Sequence, residues 1–474
     1  MHMTHASMYA RLLASDASCN GRFFTGVLTT GIYCLPACKA RKPRPENVKF
    51  FPTCAAARAA GLRPCKKCHP DDFARGADPV REDVETLVGE IRRDPGAFAD
   101  ARAVVLRSGF GTTRLFELFR QHFQSTPADL LTRARLTAAK VQLLSTDLGL
   151  LEIGQAVGFD SASAFHDHFR RCNGLTPGGY RGLRQTGTCA VKLPNGYSIP
   201  YLRRALGRDP HSLTERLDGE SYTLAARFSS GPALLRLQLE PRGITAEFDP
   251  GNGPEAHGIL VGLLGLDQDA LAFARLARRL GLARLVAHRE QLRLAQTPSV
   301  YEALLWSIIG QQINFPFACL LRRRLVELVS SPLAAGLHEP PSPAAVAALE
   351  PAELLPLQFS RQKAEYLIAV SREVAEGRLD LAALRTMSAT RAEQTLLAQR
   401  GLGPWSVNYL LMRALGFADC VPLGDTGVTS GLQALLKLET RPDLDATRRL
   451  MAMFTPYRSL ATAHLWQFGH PLPS

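Results

Sequence analysis

The 474-residue sequence predicts a multidomain fold with four successive parts. Two close pairs of cysteines at the front predict a small α/β domain, and a pattern that repeats after 50 residues predicts an all-α pair of similar units behind it. Alternating apolar and polar residues farther along predict a small α+β domain with an antiparallel sheet, and the helical periodicity that follows predicts a final all-α domain. We expect the domain limits at 1–78, 79–187, 192–285 and 286–474.

Composition narrows the classes of function. A hydrophobic content of 46% predicts a globular chain, and a formal net charge of +13, much of it in residues 1–190, predicts a polyanionic partner. No window approaches the roughly 18 uninterrupted apolar residues of a membrane span, so we expect no membrane partner. Ten unevenly placed cysteines are too few for a disulfide scaffold, which favours the reducing cytoplasm.

The first part is defined by its cysteines. They form two close pairs, Cys34 with Cys38 and Cys65 with Cys68. This spacing predicts two turns that meet around one tetrahedral Zn²⁺, which could be purely structural or could belong to a reactive site. Cys19 and Cys54 fall outside both pairs and are predicted to be small buried apolar residues.

The sequence around these cysteines resembles a known domain. Asn20-Gly21-Arg22-Phe23, the run 29–38 and the run 63–68 are similar to the N-terminal domain of the bacterial Ada methylation-response proteins. The resemblance implies that Cys34 accepts a methyl group from DNA methylphosphotriesters and that all four cysteines bind one zinc ion. It further implies contacts to the DNA backbone from three residues: Thr30, Arg41 and Arg63. Methylation would remove one negative charge from the site and so strengthen DNA binding, which makes the lesion a switch.

The second part is an internal duplication. Four residues recur 50 positions later: Phe119, Arg120, Thr126 and Pro127 as Phe169, Arg170, Thr176 and Pro177. Each copy has a polar start, an apolar face with helical spacing and a Thr-Pro stop, which predicts a recognition helix. A linking helix is predicted over 127–144. The alternative is a helical packing module that makes no contact with bases.

With the run 151–159 before its second copy, this region resembles the AraC-type DNA-binding domain. The resemblance implies two recognition helices in successive major grooves of operator DNA, with RNA polymerase as a candidate partner. The first copy departs from the family because Arg102 stands in its supporting helix. The residues expected to be exposed on the recognition helices are Thr112, Thr113, Arg114, Ser161 and Ser163.

The second half of the chain combines strands and helices. Alternation predicts antiparallel strands over 222–228, 233–240 and 244–248. In the helical part, Gly401-Leu402-Gly403 predicts a tight hairpin between helices, and the amides of the next helix can bind a DNA phosphate. With Gly310-Gln311-Gln312 upstream and Asp425 downstream, residues 193–470 resemble the helix-hairpin-helix DNA glycosylases, nearest the AlkA 3-methyladenine type.

This resemblance implies roles for particular residues. Asp425 takes the place of the catalytic aspartate, although a helix N-cap is the alternative reading. A flipped, positively charged base would be held by three aromatic side chains, for which the alternative is the core: Trp405, Tyr409 and Trp466. Contacts with the duplex are implied for Gln311, Gln312, Gly401 and Gly403.

One position bears on the reaction type. Family members that also cleave the strand have a lysine where this chain has Trp405, so hydrolysis without strand cleavage is expected.

Together these features predict a small zinc-bound α/β domain, an all-α paired helix-turn-helix domain, a small α+β antiparallel-sheet domain and an all-α helix-hairpin-helix glycosylase domain. We expect a nucleoid-associated cytoplasmic bacterial protein that excises alkylated bases from double-stranded DNA and switches transcription after methylation. One alternative is a methylation-responsive regulator whose glycosylase-like domain is inactive. Another is a glycosylase that its front half merely tethers to DNA through a structural zinc.

Overall fold

The computed structural model describes residues 3–38, 40–76, 78–241 and 243–469. The chain divides into two compact units, Met1–Val88 and Gly89–Ser474. Among the described residues, none of the helices is both long enough and apolar enough to cross a membrane.

The first unit is built on a four-stranded sheet. Its elements are the helices α1 His5–Leu13, α2 Cys54–Ala59 and α3 Pro70–Ala74 and the strands β1 Phe24–Val27, β2 Ile32–Cys34, β3 Val48–Phe51 and β4 Arg63–Pro64. The strand order is β3-β1-β2-β4, in which β2 and β4 are parallel and the other pairs are antiparallel. Phe24, Tyr33 and Phe51 form its small core with Leu62.

A polar network ties the sheet of this unit to its helices. The Tyr33 hydroxyl donates to Asp71 of α3 at 2.5 Å, and Arg58 of α2 forms an ion pair with the same carboxylate. Arg58 also donates to the Tyr33 hydroxyl. Because a domain of this size buries little apolar surface, such contacts and a bound metal contribute a large share of its stability.

The helices that follow show the predicted duplication. They are α4 Pro79–Arg93, α5 Ala101–Ser108, α6 Thr112–Phe123, α7 Pro127–Ser145, α8 Leu150–Ala156, α9 Ala162–Asn173 and α10 Pro177–Gly182. The helices α6 and α9 have equal length and lie 50 residues apart, and the linking helix α7 matches its prediction. The helices α6 and α9 end before the repeated Thr-Pro pair, with Gln124 and Gly174 as their C-caps, and the pair begins the next helix, because Thr126 and Thr176 are the N-caps of α7 and α10.

A five-stranded antiparallel sheet comes next. Its elements are β5 Thr188–Lys192, α11 Ile199–Leu206, β6 Glu215–Asp218, β7 Ser221–Phe228, β8 Gly231–Glu240 and β9 Gly243–Glu247, in the order β5-β9-β8-β7-β6. The three predicted strands are confirmed as β7, β8 and β9. The alternation that predicted β8 is real, since Leu235, Leu237 and Leu239 all face the core.

Helices make up the rest of the chain. They are α12 Gly253–Leu264, α13 Ala270–Arg279, α14 Ala283–Val286, α15 Val300–Ile309, α16 Phe315–Val329, α17 Pro343–Ala347, α18 Pro351–Leu354, α19 Arg361–Ala375, α20 Leu381–Leu384, α21 Ala389–Leu397, α22 Pro404–Arg413, α23 Thr426–Leu436, α24 Leu444–Met451 and α25 Arg458–Gln467. The predicted hairpin separates α21 from α22, and α22 packs on α15 while α23 packs on α25.

One hydrophobic core joins the duplicated helices to the sheet. Phe165 and Phe169 of α9 belong to the same buried cluster as Leu235 of β8 and Leu260 of α12. The two parts are therefore packed into one body.

Candidate functional site

The four paired cysteines meet at one end of the first sheet. Cys34 is the last residue of β2 and Cys65 directly follows the parallel neighbour β4, while Cys38 and Cys68 lie in the turns that follow. Their sulfur atoms all lie within 4.8 Å of one another. The Leu35 amide donates to the Cys68 sulfur at 3.4 Å, which helps to fix the turn.

This donor set fits zinc. Three of the sulfurs belong to buried residues and Cys68 is half-buried, so four soft ligands surround one closed position. Hydrogen bonds from Cys34 and Cys68 lower the pKa of Cys38. Within the described part of the chain this is the one group of His, Cys, Asp and Glu residues arranged to hold a metal ion.

The two remaining cysteines of this unit differ from the cluster. Cys19 is buried, as predicted for a small apolar residue. Cys54 is half-buried, its thiol donates to the Pro70 carbonyl at 3.4 Å, and burial raises its pKa to about 11. A thiol with so high a pKa is a poor nucleophile at neutral pH.

The three predicted backbone contacts of this unit are exposed. Thr30 lies in the turn between β1 and β2, Arg63 lies in β4 opposite Ile32, and Arg41 follows the first cysteine pair. Exposure makes them available to a phosphate backbone, and their contacts with DNA stay a prediction.

The residues predicted to lie on the recognition helices occupy the first turns of α6 and α9. Thr112, Thr113 and Ser163 are exposed, while Ser161 is the N-cap of α9 and accepts from the Ala164 amide at 3.1 Å. Arg114 is half-buried and lies 3.4 Å from Glu117. The N-terminal part of a recognition helix is the part that contacts bases.

Arg102 does not disturb the supporting helix α5. Its side chain is exposed while Val104 is buried, so the helix keeps one apolar face.

The residues predicted to contact the damaged base come together in one large cleft. The cleft has a volume of about 1930 Å³ and is lined by Asp425, Trp405, Tyr409 and Trp466 among others. Asp425 is the N-cap of α23, where its Oδ1 accepts from the Val428 amide at 3.0 Å. The N-cap reading of Asp425 is therefore correct, and its carboxylate also faces the cleft.

Two indole groups hold the carboxylate from either side. The Trp466 Nε1 donates to Asp425 Oδ1 at 2.8 Å, and the Trp405 Nε1 lies 3.4 Å from Oδ2. Trp405 stacks on Tyr409 with ring centroids 5.4 Å apart. Each of the three aromatic residues is half-buried, so each combines packing against the core with a surface open to the cleft.

The hairpin supplies another wall of the cleft. Gly401 has φ +94°, and a Cβ at this position would lie 2.3 Å from Tyr366 Cγ, so only glycine fits. Gly403 is exposed and is the N-cap of α22. The first amides of α22 lack partners within the helix and are available to a phosphate.

The two glutamines predicted to contact the duplex differ in their surroundings. Gln311 is half-buried, and its side-chain amide donates to the Gly401 carbonyl at 2.8 Å and to Ser406 Oγ at 3.1 Å. These hydrogen bonds stabilise the hairpin. Gln312 is exposed, with a left-handed φ of 57°, and lines the cleft. Of the two, Gln312 is free to enter a duplex.

Sequence reasoning missed part of the cleft. Trp306 lines it as well, stacked on Phe315 at 5.8 Å with the Arg322 guanidinium over its ring. All three tryptophans of the chain therefore line one cleft. The rarity of tryptophan in this sequence was the signal that could have found Trp306.

Three families match successive parts of the chain. Residues 7–71 match the family described as the metal binding domain of Ada, and residues 106–182 match a helix-turn-helix domain. Residues 305–456 match the HhH-GPD superfamily of base excision DNA repair proteins.

Relatives and solved structures agree with these matches. The chain is 28% identical, over its full length and 98% of the relative, to a protein of Mycobacterium tuberculosis named probable bifunctional transcriptional activator/DNA repair enzyme AlkA. It is 32% identical to the DNA-3-methyladenine glycosylase of Bacillus subtilis, over 43% of this chain and 68% of the relative. The fold matches a 3-methyladenine DNA-glycosylase from Archaeoglobus fulgidus with a TM-score of 0.53 at 19% identity, over 59% of this chain and 97% of that one.

The chain belongs to the HhH-GPD superfamily of base excision DNA repair proteins, with an Ada-type metal-binding domain and a helix-turn-helix domain in the same polypeptide. The predicted fusion and the four-part fold class are thereby confirmed. DNA is likewise confirmed as a partner. One zinc ion, held by the four-cysteine cluster, is confirmed as the cofactor.

Proposed function

We propose that the protein hydrolyses the N-glycosidic bond of alkylated bases such as 3-methyladenine in double-stranded DNA. The observation that carries this proposal is the Asp425 carboxylate, which faces the cleft between the indole N–H groups of Trp405 and Trp466. An aspartate held in this way stabilises the positive charge that develops on the sugar as the bond breaks, and it orients the attacking water.

The aromatic lining suits a methylated purine. Such a base is positively charged, and the ring faces of Trp405 and Tyr409 attract a cation once the base has been flipped out of the duplex. Because a charged base is a good leaving group, the site needs little acid catalysis. Gln312 would fill the gap left in the duplex, while Gly401 and Gly403 would allow the hairpin to approach a phosphate.

We further propose that excision stops at the abasic site. Strand cleavage by this superfamily needs an amine that forms a Schiff base with the sugar. The described residues that line the cleft include several arginines and no lysine. The buried Lys363 amine donates to the Ile309 carbonyl at 2.7 Å and is not among them.

For the first unit we propose a single-turnover methyl transfer. The Cys34 sulfur attacks the methyl carbon of a DNA methylphosphotriester, a C–S bond forms as the C–O bond breaks, and an ordinary phosphodiester anion leaves. Bound zinc would keep the thiol deprotonated. The site loses one negative charge, so its affinity for DNA increases and the protein activates transcription at operators read by α6 and α9, through contact with RNA polymerase. It would act in the cytoplasm, at the nucleoid.

Base release from DNA treated with a methylating agent tests the excision proposal. The intact protein should release 3-methyladenine, and Asp425→Asn should reduce the rate by at least about 100-fold. Asp443→Asn is the matched control, because Asp443 is also a helix N-cap but does not line the cleft. Equal rates for Asp425→Asn and wild type would refute the role of Asp425, and no release by wild type would favour a regulator with an inactive glycosylase-like domain.

Transfer of labelled methyl groups from methylated DNA tests the acceptor proposal. One label per chain is expected, lost in Cys34→Ser and retained in Cys172→Ser. If wild-type protein took up no label, the first unit would be a tether with a structural zinc.

A further inference from the structure

The end of the first recognition helix makes direct contact with the excision part of the chain. His122 in the last turn of α6 is buried, and its Nδ1 lies 3.0 Å from Thr390 Oγ1 in α21. Arg92 of α4 donates to the Thr386 carbonyl just before α21. The opposite end of α6, with Thr112 and Thr113, remains exposed, so this docking leaves the base-reading end of the helix free.

Gln124, the C-cap of α6, reaches the segment that leads to Asp425. Its Oε1 accepts from the Asp419 amide at 2.6 Å, and its Nε2 lies 3.5 Å from the Cys420 sulfur. Burial raises the pKa of Cys420 to about 12, so this thiol stays protonated and forms a neutral contact with the glutamine amide. One side chain thus binds two successive residues that lie five and six positions before Asp425.

The segment before Asp425 also contacts α22 and α25, two helices that contribute residues to the cleft. Arg458, which begins α25, forms two ion-pair contacts with the Asp419 carboxylate, at 2.7 and 2.9 Å. The Val421 amide donates to Asn408 of α22 at 3.2 Å. Since α22 carries Trp405 and α25 carries Trp466, a shift of residues 419–425 would change the geometry of both indole contacts with the carboxylate.

The backbone at Gln124 supplies an independent argument. Gln124 has φ 51°, and the equivalent residue of the second copy, 50 positions later, is Gly174 with φ 67°. Both end a recognition helix in the left-handed conformation, which is less favourable for a residue with a side chain than for glycine. A glutamine in this strained position points to a function for its side chain.

We propose that the helix-turn-helix pair is a working part of the excision site, in which Gln124 positions residues 419–425 and thereby Asp425. Gln124 is a positioning residue, since it does not line the cleft. The inference rests on the proposed excision activity for its rate effect, but the contact itself can be tested without that activity.

The experiment uses the full-length protein with Gln124→Gly and Gln124→Met. The glycine variant removes the side chain and relieves the backbone, so it should fold, while the methionine variant keeps the length and loses both polar contacts. Gln121→Met is the matched control, since Gln121 is an exposed residue of the same helix. The readouts are the single-turnover rate of base release at saturating protein, the affinity for lesion DNA, and hydrogen exchange in residues 419–428.

Both Gln124 variants should release base about 10-fold more slowly with unchanged DNA affinity, and should exchange faster over 419–428. The control should match wild type in all three. Wild-type rates and wild-type exchange in the glycine variant would overturn the inference. If wild type itself released no base, the excision proposal would fail, and the exchange data alone would decide whether Gln124 holds the segment.

Discussion

At the scale of single residues, the two oxygens of Asp425 are held unequally. The Trp466 indole nitrogen lies 2.8 Å from Oδ1, which is a short hydrogen bond. The Trp405 indole nitrogen lies 3.4 Å from Oδ2, a distance that is 0.6 Å longer. A hydrogen bond to a charged group contributes about 1.5–3 kcal/mol, and it weakens with distance. Trp466 is therefore the main side-chain donor that orients the carboxylate.

Trp466→Phe should slow base release about 10-fold or more, because it removes the N–H donor and keeps an aromatic ring beside the base. Trp405→Phe, which removes the longer contact, should have a smaller effect. Single-turnover base release measures both rates. The opposite order would show that ring stacking, and not the indole donor, decides the rate.

Single residues also differ in whether the sequence alone could predict their contacts. The cysteine pairs are local in sequence and chemically distinctive, so their spacing predicts the metal site, whereas Asp425 was singled out through the resemblance to the helix-hairpin-helix glycosylases. The hydrogen bond that the Asp419 amide donates to the Gln124 side chain joins residues 295 positions apart and involves a common residue type. Such a contact depends on how helices dock, which no local pattern reports.

At the scale of elements, the two glycines of the hairpin between α21 and α22 are needed for different reasons. Gly401 has a positive φ and its Cβ position is filled by Tyr366, whereas a Cβ on Gly403 would meet no atom within 4 Å. The first glycine is required by packing inside the protein. The second leaves open space at the turn, which the proposed contact with a DNA phosphate requires.

Gly401→Ala should lower the free energy of unfolding by about 1–3 kcal/mol, through backbone strain and overpacking. Gly403→Ala should leave the free energy of unfolding nearly unchanged and weaken binding to lesion DNA. Denaturant unfolding and DNA titration at fixed salt measure the two effects. A Gly403→Ala protein with wild-type affinity would contradict a phosphate contact at this turn.

The helix α12 contacts the helix-turn-helix pair through a buried histidine. His257 is fully buried, and its Nε2 donates to the Asn173 carbonyl at 2.8 Å. Burial, together with the charge of Lys140, lowers its pKa from 6.5 to about 3. The folded protein therefore keeps this histidine neutral at a pH where the unfolded chain would protonate it.

The unfolded state binds the extra proton, so His257 should make the second unit less stable as the pH falls from 6.5 towards 3. Between pH 7 and pH 5 the loss is about 2 kcal/mol. His257→Gln keeps a donor without a titrating group and should flatten the dependence by that amount. Denaturant unfolding at the two pH values measures it, and parallel curves for variant and wild type would contradict the assignment.

The elements themselves were largely predictable, for a physical reason. The period of 50 residues and the alternation in β8 are backbone periodicities that the sequence repeats visibly. β5 and β6 were missed because they are short and expose alternate polar residues at the edges of the sheet. Edge strands lack the apolar runs that identify central strands.

At the scale of the whole molecule, the four predicted parts form two compact units. Residues 89–474 combine the helix-turn-helix pair, the sheet and the cleft helices, because α9 and the sheet share one core and α6 docks on α21. The sequence predicted the parts but not this union, since the buried faces that join them look like ordinary core residues. The first unit has its own sheet and its own metal site.

This division predicts the effect of zinc removal. A structural zinc site contributes on the order of 10 kcal/mol to a small domain, so a chelator should unfold Met1–Val88 and expose it to protease. The thermal transition of Gly89–Ser474 and the rate of base release should not change, because the cleft is lined entirely by residues of that unit. Cys38→Ser should reproduce the effect of the chelator, and Cys172→Ser should not. A fall in excision rate on chelation would mean that the first unit takes part in presenting DNA to the cleft, and that methyl acceptance and base excision are coupled.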